Sequence, residues 1–237
     1  IEFEEYYYFD EISCEVNFEK MLYDITKAND GDIILLHGCC HNPTGANLKK
    51  DDWVKLTEIF LKKNLLPFID LAYQGFGDGL QNDVFGLRYL SKNIPEMLIA
   101  VSCSKNFGVY RDRVGSAIVI SKNKKSSQTV DDNLKSLNRL TYSFPPDHGA
   151  SVVNEVLSNE SLLNEWKAEL EAMRNNMLSI RKKLSKSLKK KTNSSRFDFI
   201  NNHRGMFSRL GIEEKKVEIL RNKFGIYMVS DSRINIA

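Results

Sequence analysis

The chain has 237 residues, of which 42% are apolar and 27% are charged, and 34 basic against 31 acidic residues give a formal net charge of +3. This composition is typical of a globular protein and argues against a disordered chain. No apolar run approaches the ~20 residues of a membrane-spanning helix. Four cysteines without a CxxC pair argue against a disulfide scaffold and a zinc ribbon. We therefore expect a reducing compartment, namely the cytoplasm, with the mitochondrion as the alternative. We expect neither a membrane nor a metal as a partner.

The termini and the distribution of charge give two further indications. The chain begins at Ile1 rather than at Met and ends directly after a strand-like stretch, so we interpret it as a segment of a longer protein. The first 30 residues carry nine acidic and two basic residues, whereas residues 121–237 carry 22 basic and 13 acidic ones. Such a gradient indicates either a nucleic-acid-binding surface or the basic face of a helix, and the helix is favoured here.

The first 120 residues alternate between strand and helix patterns. Residues 33–36 are apolar, as expected for a buried strand, and residues 37–47 contain the Gly, Asn and Pro residues of a loop. A helix follows, with one apolar face formed by Trp53, Leu56, Ile59 and Phe60. Further strands are predicted at 65–69, 97–101 and 114–120. This order of elements predicts an α/β fold with a largely parallel sheet.

The remaining chain has an α+β pattern. Residues 165–190 are predicted to form one long helix, whose apolar residues are Met173, Met177, Ile180, Leu184 and Leu188. The basic residues between them are expected on a solvated face, namely Arg181, Lys182, Lys183, Lys186, Lys189 and Lys190. Residues 192–204 are polar and irregular. A helix is predicted at 213–224, and strands at 226–229 and 233–236. We place a domain boundary near residue 160, which divides the chain into residues 1–160 and 161–237.

Polar side chains follow three of the predicted strands. His37 and the loop that contains Asn42 follow the first strand, Asp70 and Tyr73 follow the second, and the third is followed by Ser102, Ser104 and Lys105. Each also has an ordinary explanation, since a strand-end Asp often caps a turn and a lone Lys usually lies on the surface. In an open α/β sheet, however, ligands bind beyond the carboxyl ends of the strands. The convergence of these groups on one edge favours a shared site.

The chemistry of these side chains suggests one cofactor. A lysine at a sheet edge can act as a nucleophile towards an aldehyde. A carboxylate such as Asp70 can pair with a protonated ring nitrogen, and Arg113, eight residues after Lys105, could hold a phosphate. An aldehyde, a ring nitrogen and a phosphate together describe pyridoxal phosphate.

Seven segments carry a resemblance to a known family. They are 37–45 (HGCCHNPTG), 70–76 (DLAYQGF), 102–108 (SCSKNFG), 111–115 (RDRVG), 142–146 (YSFPP), 205–208 (GMFS) and 231–235 (DSRIN). In order and spacing they are similar to those of the class I, fold-type I aminotransferases, and most closely the aspartate aminotransferases. The resemblance covers nearly the whole chain. It implies that residues 1–160 belong to a cofactor-binding large domain and residues 161–237 to an α+β small domain.

The resemblance also implies catalytic roles. Lys105 is expected to bind the aldehyde of pyridoxal phosphate covalently and then to carry a proton between the substrate Cα and the cofactor. Asp70 is expected to pair with the ring nitrogen, and Tyr73 and Asn42 to bind the phenolic oxygen. The resemblance also implies that the phosphate is bound by Ser102, Ser104 and Arg113. Tyr142, in an intersubunit segment, is implied as a further contact of the cofactor.

Two arginines imply the substrate class. Arg233 is expected to bind the α-carboxylate as a bidentate pair, next to Asn42, and Arg139 to reach into the neighbouring subunit and bind the distal carboxylate. The resemblance therefore predicts a homodimer with shared sites. It would transfer an amino group between L-aspartate and 2-oxoglutarate, giving oxaloacetate and L-glutamate. Three alternatives remain open: an aromatic or broad-specificity aminotransferase, a cofactor-binding protein without activity, and a nucleic-acid-binding protein that uses residues 181–191.

Several residues have a less specific interpretation. His37 is either a polar partner of Asp70 or a packed core histidine, and the cysteines at 39, 40 and 103 are expected to be packing residues. Arg209 stands where the family usually has an aromatic residue, which changes the expected lining of the substrate domain. The N-terminal part of the family's site and its closing C-terminal helix are not in this chain, so the site is expected to be partial.

Overall fold

The computed structural model describes residues 2–237. In chain order its elements are β1 (Phe9–Asp10), β2 (Glu15–Val16), α1 (Phe18–Ile25), β3 (Ile33–His37), α2 (Lys50–Lys63), β4 (Leu66–Leu71), α3 (Phe85–Asn93), β5 (Met97–Ser102), β6 (Gly115–Ile120), α4 (Lys124–Thr141), α5 (His148–Ser158), α6 (Glu160–Thr192), a 3₁₀ helix (Asp198–Asn201), β7 (Phe207–Arg209), α7 (Glu214–Phe224) and β8 (Arg233–Asn235). Within the described residues, no helix is both long and apolar enough to span a membrane.

The central sheet has the strand order β3-β4-β5-β6. β3, β4 and β5 are parallel, and β6 is an antiparallel edge strand paired with β5. The four strands confirm the largely parallel sheet and the α/β fold predicted from the sequence. Because the three parallel strands point the same way, their carboxyl ends lie at one edge of the sheet.

The main core lies between this sheet and helices α1 to α3. Along β3 the buried Ile34 and Leu36 alternate with Ile33 and Leu35, which are exposed, so only one face of the strand enters this core. Helices α2 and α3 approach closely at Gly86, where an added Cβ would lie 2.2 Å from the Trp53 indole. The packed residues are mainly apolar, and they include Met21, Leu56, Phe60, Leu90 and Met97.

The long helix α6 differs in one respect from its prediction. Its buried residues are Leu170, Met177, Arg181 and Ser185, whereas Met173 is 44% exposed and Ile180 36%. The prediction that Arg181 lies on the solvated face is therefore wrong. Arg181 follows Met177 by four residues and so lies on the same side of the helix, one turn further on. The neighbouring Lys182 and Lys183 are exposed, as predicted.

The secondary structure differs from the sequence predictions in other places. Residues 226–229 form no strand, because β7 and β8 pair only with each other and leave no partner for this segment among the described residues. Helices α1, α3, α4 and α5 and the short strands β1, β2 and β7 were not predicted. The helix α6 begins at Glu160, beside the predicted domain boundary, but the boundary itself remains a prediction.

Candidate active site

The predicted polar residues meet along the carboxyl edge of the sheet. His37 ends β3 and is the register partner of Asp70 on β4, while Asp70 is in register with Ala100 on β5. Ser102 ends β5, and Lys105 follows in the next turn. We call His37, Asn42, Asp70, Tyr73 and Lys105 the strand-end site.

The loop after β3 is held in a fixed shape by its own hydrogen bonds. The His41 N–H donates to Asn47 Oδ1 at 2.9 Å, and the Gly45 N–H donates to the His41 carbonyl at 2.7 Å. Gly45 has φ +78°, and a Cβ there would lie 2.3 Å from the Phe207 carbonyl oxygen. A side chain at this position is therefore excluded twice, by the backbone conformation and by the contact with β7.

Asn42 connects three other residues of the site. Its amide nitrogen donates to the Tyr73 hydroxyl at 3.2 Å, and its amide oxygen accepts from Arg233 Nη1 at 3.2 Å. Its backbone N–H donates to His37 Nδ1 at 3.3 Å. Burial raises the pKa of Tyr73, and the hydrogen bond from Asn42 partly opposes this shift. Tyr73 is therefore a neutral phenol at physiological pH.

Lys105 lies beside Tyr73 and is held by its neighbours in the chain. Its Nζ is 4.9 Å from the centroid of the Tyr73 ring. The next residue, Asn106, is buried, donates to the Gln74 carbonyl at 3.3 Å and accepts at its own carbonyl from the Trp166 indole N–H at 2.7 Å. These bonds tie the turn after β5 both to the loop after β4 and to α6.

The turn that follows Lys105 is also fixed by an aromatic pair. Phe107 stacks on Trp166 with ring centroids 4.5 Å apart and an interplanar angle of 11°. The sequence reasoning missed Asn106, Phe107 and Trp166. The only signal in the sequence is the tryptophan itself, because an indole N–H usually needs a partner when it is buried.

The predicted phosphate-binding residues lie at the end of β5 and in the loop before β6. The Ser104 N–H donates to Ser102 Oγ at 3.2 Å, which places the two serines side by side. Arg113 has φ +51° and is exposed, and its Nη1 donates to the Tyr110 carbonyl at 3.2 Å. In this structure Arg113 thus contacts its own loop, and its role towards a phosphate remains a prediction.

The two histidines of the first loop form a stack. His41 lies between the Tyr8 ring, with centroids 4.0 Å apart, and the His37 ring at 4.5 Å. Burial lowers the pKa of His41 to about 3 and also lowers the pKa of His37, against the opposing effect of Asp70. His37 Nδ1 accepts from the Asn42 N–H, so its proton is on Nε2. His37 is half-buried against the His41 ring, and its role as a partner of Asp70 stays a prediction.

One known protein family matches the whole chain. The family model of class I and II aminotransferases matches residues 1–237. The chain belongs to the class I and II aminotransferase family. The family and the fold inferred from the seven sequence segments are thereby confirmed.

Two relatives and one solved structure give the extent of the match. The chain is 51% identical over 232 residues to the aromatic-amino-acid aminotransferase of Paracoccus denitrificans and 40% identical over 233 residues to the aspartate aminotransferase of Haemophilus influenzae. Each match covers 98% of this chain but only 59% of the relative. The aromatic-amino-acid aminotransferase of Burkholderia pseudomallei, solved covalently bound to pyridoxal phosphate, is 38% identical with a TM-score of 0.95, over 98% of this chain and 58% of that one.

Two predicted residues of this aminotransferase chain lie outside the strand-end site. Arg139 is in the last turn of α4, where its Nη1 donates to Ser143 Oγ at 2.9 Å and its guanidinium lies 5.8 Å from the Phe144 ring. Tyr142 is 61% exposed. Among the described residues, neither makes a hydrogen bond to the strand-end site. Their predicted roles in a partner's site therefore stay predictions.

Arg209, the departure from the family pattern, serves a structural contact. It lies on β7 opposite Arg233 of β8. Its Nη1 is 2.9 Å from Glu11 Oε1, its Nε donates to the Asp231 carbonyl at 3.0 Å, and its guanidinium lies 5.9 Å from the Phe9 ring. Arg209 thus holds the β1–β2 turn against the β7–β8 pair.

Cys39 and Cys40 pack into a buried apolar cluster, as predicted. Cys39 and Cys40 are buried and Cys103 is half-buried. The thiols of Cys39 and Cys40 lie within 4.8 Å of an oxygen of Asp83. That carboxylate, however, accepts hydrogen bonds from the backbone N–H groups of residues 75, 77 and 78 and so orders the turn after Tyr73.

Proposed function

We propose that this protein is a pyridoxal phosphate-dependent transaminase that uses L-aspartate and 2-oxoglutarate. The observation that supports this most strongly is the grouping of the side chains at the strand-end site and of Arg233 beside it. A lysine amine, a strand-end carboxylate, and the Tyr73–Asn42–Arg233 chain of hydrogen bonds lie around one edge of the sheet. The chain spans 59% of the length of the relatives reported above, so the proposal concerns the protein in which this site is complete.

The donor chemistry of the described residues fits the cofactor. Pyridoxal phosphate offers an aldehyde, a basic ring nitrogen, a phenolic oxygen and a phosphate, and it supplies an electron-accepting ring. Lys105 suits the aldehyde and Asp70 the ring nitrogen. Tyr73 can donate its O–H to the phenolic oxygen, because the Asn42 amide already donates to its oxygen. The phosphate would take the hydroxyl and guanidinium donors of Ser102, Ser104 and Arg113.

Different roles are proposed for Lys105, Asp70 and Tyr142. Lys105 can take a proton from the substrate Cα and return it, because its short loop places the amine beside Tyr73. Asp70 holds a negative charge where positive charge is needed on the ring, and this stabilises the electrons released by proton removal. Tyr142 is proposed as a further cofactor contact from the intersubunit segment.

Two arginines define the proposed substrate. Arg233 presents a guanidinium that Asn42 orients from one side and the Phe207 ring, 4.9 Å from its centre, from the other. Nη1 is bonded to Asn42, whereas Nε and Nη2 donate no hydrogen bond to the described residues, so this edge of the guanidinium can bind an α-carboxylate. Arg139 of a second copy would bind the distal carboxylate, which selects aspartate and glutamate. The proposed active unit is therefore a homodimer with two shared sites.

Aromatic substrates are the second candidate. The relative at 51% identity, from Paracoccus denitrificans, is an aromatic-amino-acid aminotransferase, and the one at 40% is an aspartate aminotransferase. An enzyme that accepts both kinds of substrate would need Arg233 for each but Arg139 only for the dicarboxylic ones.

Steady-state rates with 2-oxoglutarate as acceptor distinguish the candidates. The proposal predicts a higher kcat/KM with L-aspartate than with L-phenylalanine in the pyridoxal phosphate-loaded protein. A higher value with phenylalanine would replace the first candidate by the second. If neither amino acid supported turnover while the cofactor stayed bound, the transaminase proposal would be rejected in favour of a cofactor-binding protein without activity.

A further inference from the structure

A buried arginine lies behind the β7–β8 pair. Arg181 of α6 is 1% exposed, and its guanidinium donates to the Gly205 carbonyl at 2.7 Å, to the Phe207 carbonyl at 2.8 Å and to Ser208 Oγ. All three acceptors belong to residues 205–208. No carboxylate among the described residues forms an ion pair with it. Burial lowers the pKa of Arg181 to about 10, so the side chain stays charged at neutral pH.

A directed chain of hydrogen bonds continues from Arg181 through two further residues. His203 Nε2 lies 2.7 Å from the Cys14 carbonyl, which can only accept, so Nε2 carries the proton. His203 Nδ1 must then accept from the Ser208 hydroxyl, at 3.0 Å, and Ser208 Oγ accepts from Arg181. The donor directions along this chain are thereby fixed, while the buried Nε of Arg181 has no hydrogen-bond partner among the described residues. We call Arg181, His203 and Ser208 the arginine cluster.

The segment that Arg181 holds leads directly to the proposed carboxylate-binding residue. Phe207 begins β7, which pairs with β8, where Ser208 is in register with Ile234. The Ile236 N–H donates to the Met206 carbonyl at 2.7 Å. Arg233 begins β8, and its guanidinium lies over the ring of Phe207. A change in the 205–208 backbone therefore moves both the strand that carries Arg233 and the ring that supports its side chain.

We infer that Arg181 is a positioning residue that sets the carboxylate affinity of Arg233 through residues 205–208. The inference rests on the proposed function of Arg233. A buried cation is costly unless its hydrogen bonds are satisfied, and a purely structural position could be filled by an apolar residue of similar volume. Three acceptors on one short segment need the planar fork of Arg, because the ammonium of Lys cannot reproduce that geometry.

The test uses the pyridoxal phosphate-loaded protein and maleate, a dicarboxylate that carries no amino group. Its Kd is followed by the absorbance of the cofactor in the wild type, in Arg181→Met and Arg181→Lys, and in Lys182→Met as the matched control, since Lys182 is the exposed neighbour. Arg181→Met should raise the Kd about tenfold, which corresponds to weakening the carboxylate contacts of Arg233 by about one charged hydrogen bond. Arg181→Lys should raise it less, and Lys182→Met should leave it unchanged.

Two further measurements separate positioning from folding. Ser208→Ala removes the central oxygen of the arginine cluster with little change in volume, and it should also raise the maleate Kd. It therefore tests the inference even if Arg181→Met does not fold. In each folded variant the KM for L-aspartate should rise more than kcat falls. A wild-type Kd in Arg181→Lys and Ser208→Ala, or a fall confined to kcat, would overturn the inference. Absence of turnover in the wild type would instead reject the proposed function, while the maleate Kd would still decide the role of Arg181.

Discussion

The central sheet and the region around α6, β7 and β8 are stabilised in different ways. Behind the strand-end site, the core between the sheet and helices α1 to α3 is formed mainly by apolar side chains, and its buried Thr57 hydroxyl bonds only within α2, to the Trp53 carbonyl. Behind Arg233, by contrast, the buried groups include a charged guanidinium, a neutral histidine and a serine hydroxyl in one chain of hydrogen bonds. Apolar burial excludes water and has no directional requirement, whereas directed hydrogen bonds fix the position of a backbone segment.

The two regions are also proposed to have different functions. The strand-end site is proposed to perform proton transfer, for which the residues project from a rigid sheet edge. The β7–β8 pair is proposed to hold a carboxylate, for which the angle of a single arginine matters most. Variants of the first region should therefore lower kcat, and variants of the second should chiefly raise KM or Kd.

The largest effect is expected from Lys105→Ala. Loss of the amine removes the group proposed to move the proton, so kcat should fall by about 10³-fold or more, while Asp70 and Arg113 still hold the cofactor noncovalently. Lys124→Ala, on the exposed first turn of α4, is the control and should keep wild-type rates. A Lys105→Ala protein that retained most of its turnover would move the chemistry away from this site.

Asp70→Ala tests the same region through the ring nitrogen. The stabilisation that this carboxylate provides is needed mainly in the transition state, so kcat should fall by about 10²-fold or more, with little change in KM. Rates of the half-reaction with L-aspartate measure this, and Asp51→Ala, on the first turn of α2, serves as control. A change restricted to KM would contradict the assignment.

Acid should destabilise the second region through His203. Burial lowers the pKa of this histidine from 6.5 to about 4. Between these values the unfolded chain binds more protons than the folded one, so the free energy of unfolding falls as the pH drops from about 6.5 to about 4, by on the order of 3 kcal/mol. His41, whose pKa is lowered to about 3, contributes in the same direction.

Urea unfolding of the wild type and of His203→Gln over this pH range measures the contribution. The variant should show a smaller pH dependence, whatever its stability at pH 7. The exposed His148 provides the control, and His148→Gln should leave the dependence unchanged. An unchanged slope in His203→Gln would mean that this histidine binds its proton at the same pH in the folded and the unfolded chain, which would contradict the prediction.

The smallest effect concerns substrate choice. Arg139→Ala should lower kcat/KM about tenfold for aspartate and glutamate, because one charged hydrogen bond or more is lost. Phenylalanine has no distal carboxylate and should lose little. Equal losses for both substrate types would remove Arg139 from the specificity site.

A mixed dimer sharpens this prediction. If one subunit carries Lys105→Ala and the other Arg139→Ala, one of the two shared sites has both defects and the other has neither. Half of the wild-type activity towards aspartate should then remain. A dimer in which each site is built from one subunit would retain only the activity of the Arg139→Ala site.

The sequence predicted the sheet and its edge better than the second region, for physical reasons. Apolar runs such as 33–36 mark buried strands, and polar residues directly after them fall at the carboxyl edge without any knowledge of packing. The helical pattern in α6 placed Arg181 in solvent, because periodicity counts arginine as polar and cannot detect acceptors on a segment 24 to 27 residues away. The hydrogen bond from the Trp166 indole to the Asn106 carbonyl joins residues that are 60 positions apart, and no sequence pattern indicates it.

Other errors came from missing partners and weak patterns. Residues 226–229 have the composition of a strand, but a strand needs a neighbour to pair with, and β8 pairs only with β7 among the described strands. Helix α4 is mostly polar and has no buried residue, so the helical spacing of its few apolar residues, Val130, Leu134 and Leu137, was overlooked.

The most direct test of the account is to locate the bound cofactor. The pyridoxal phosphate-loaded protein is reduced with borohydride and digested, and the modified peptide is identified by mass spectrometry. The account predicts a single modified lysine, Lys105, beside the Tyr73 ring. A stable adduct on any other lysine, or a fully loaded protein without an adduct, would contradict the assignment of the strand-end site.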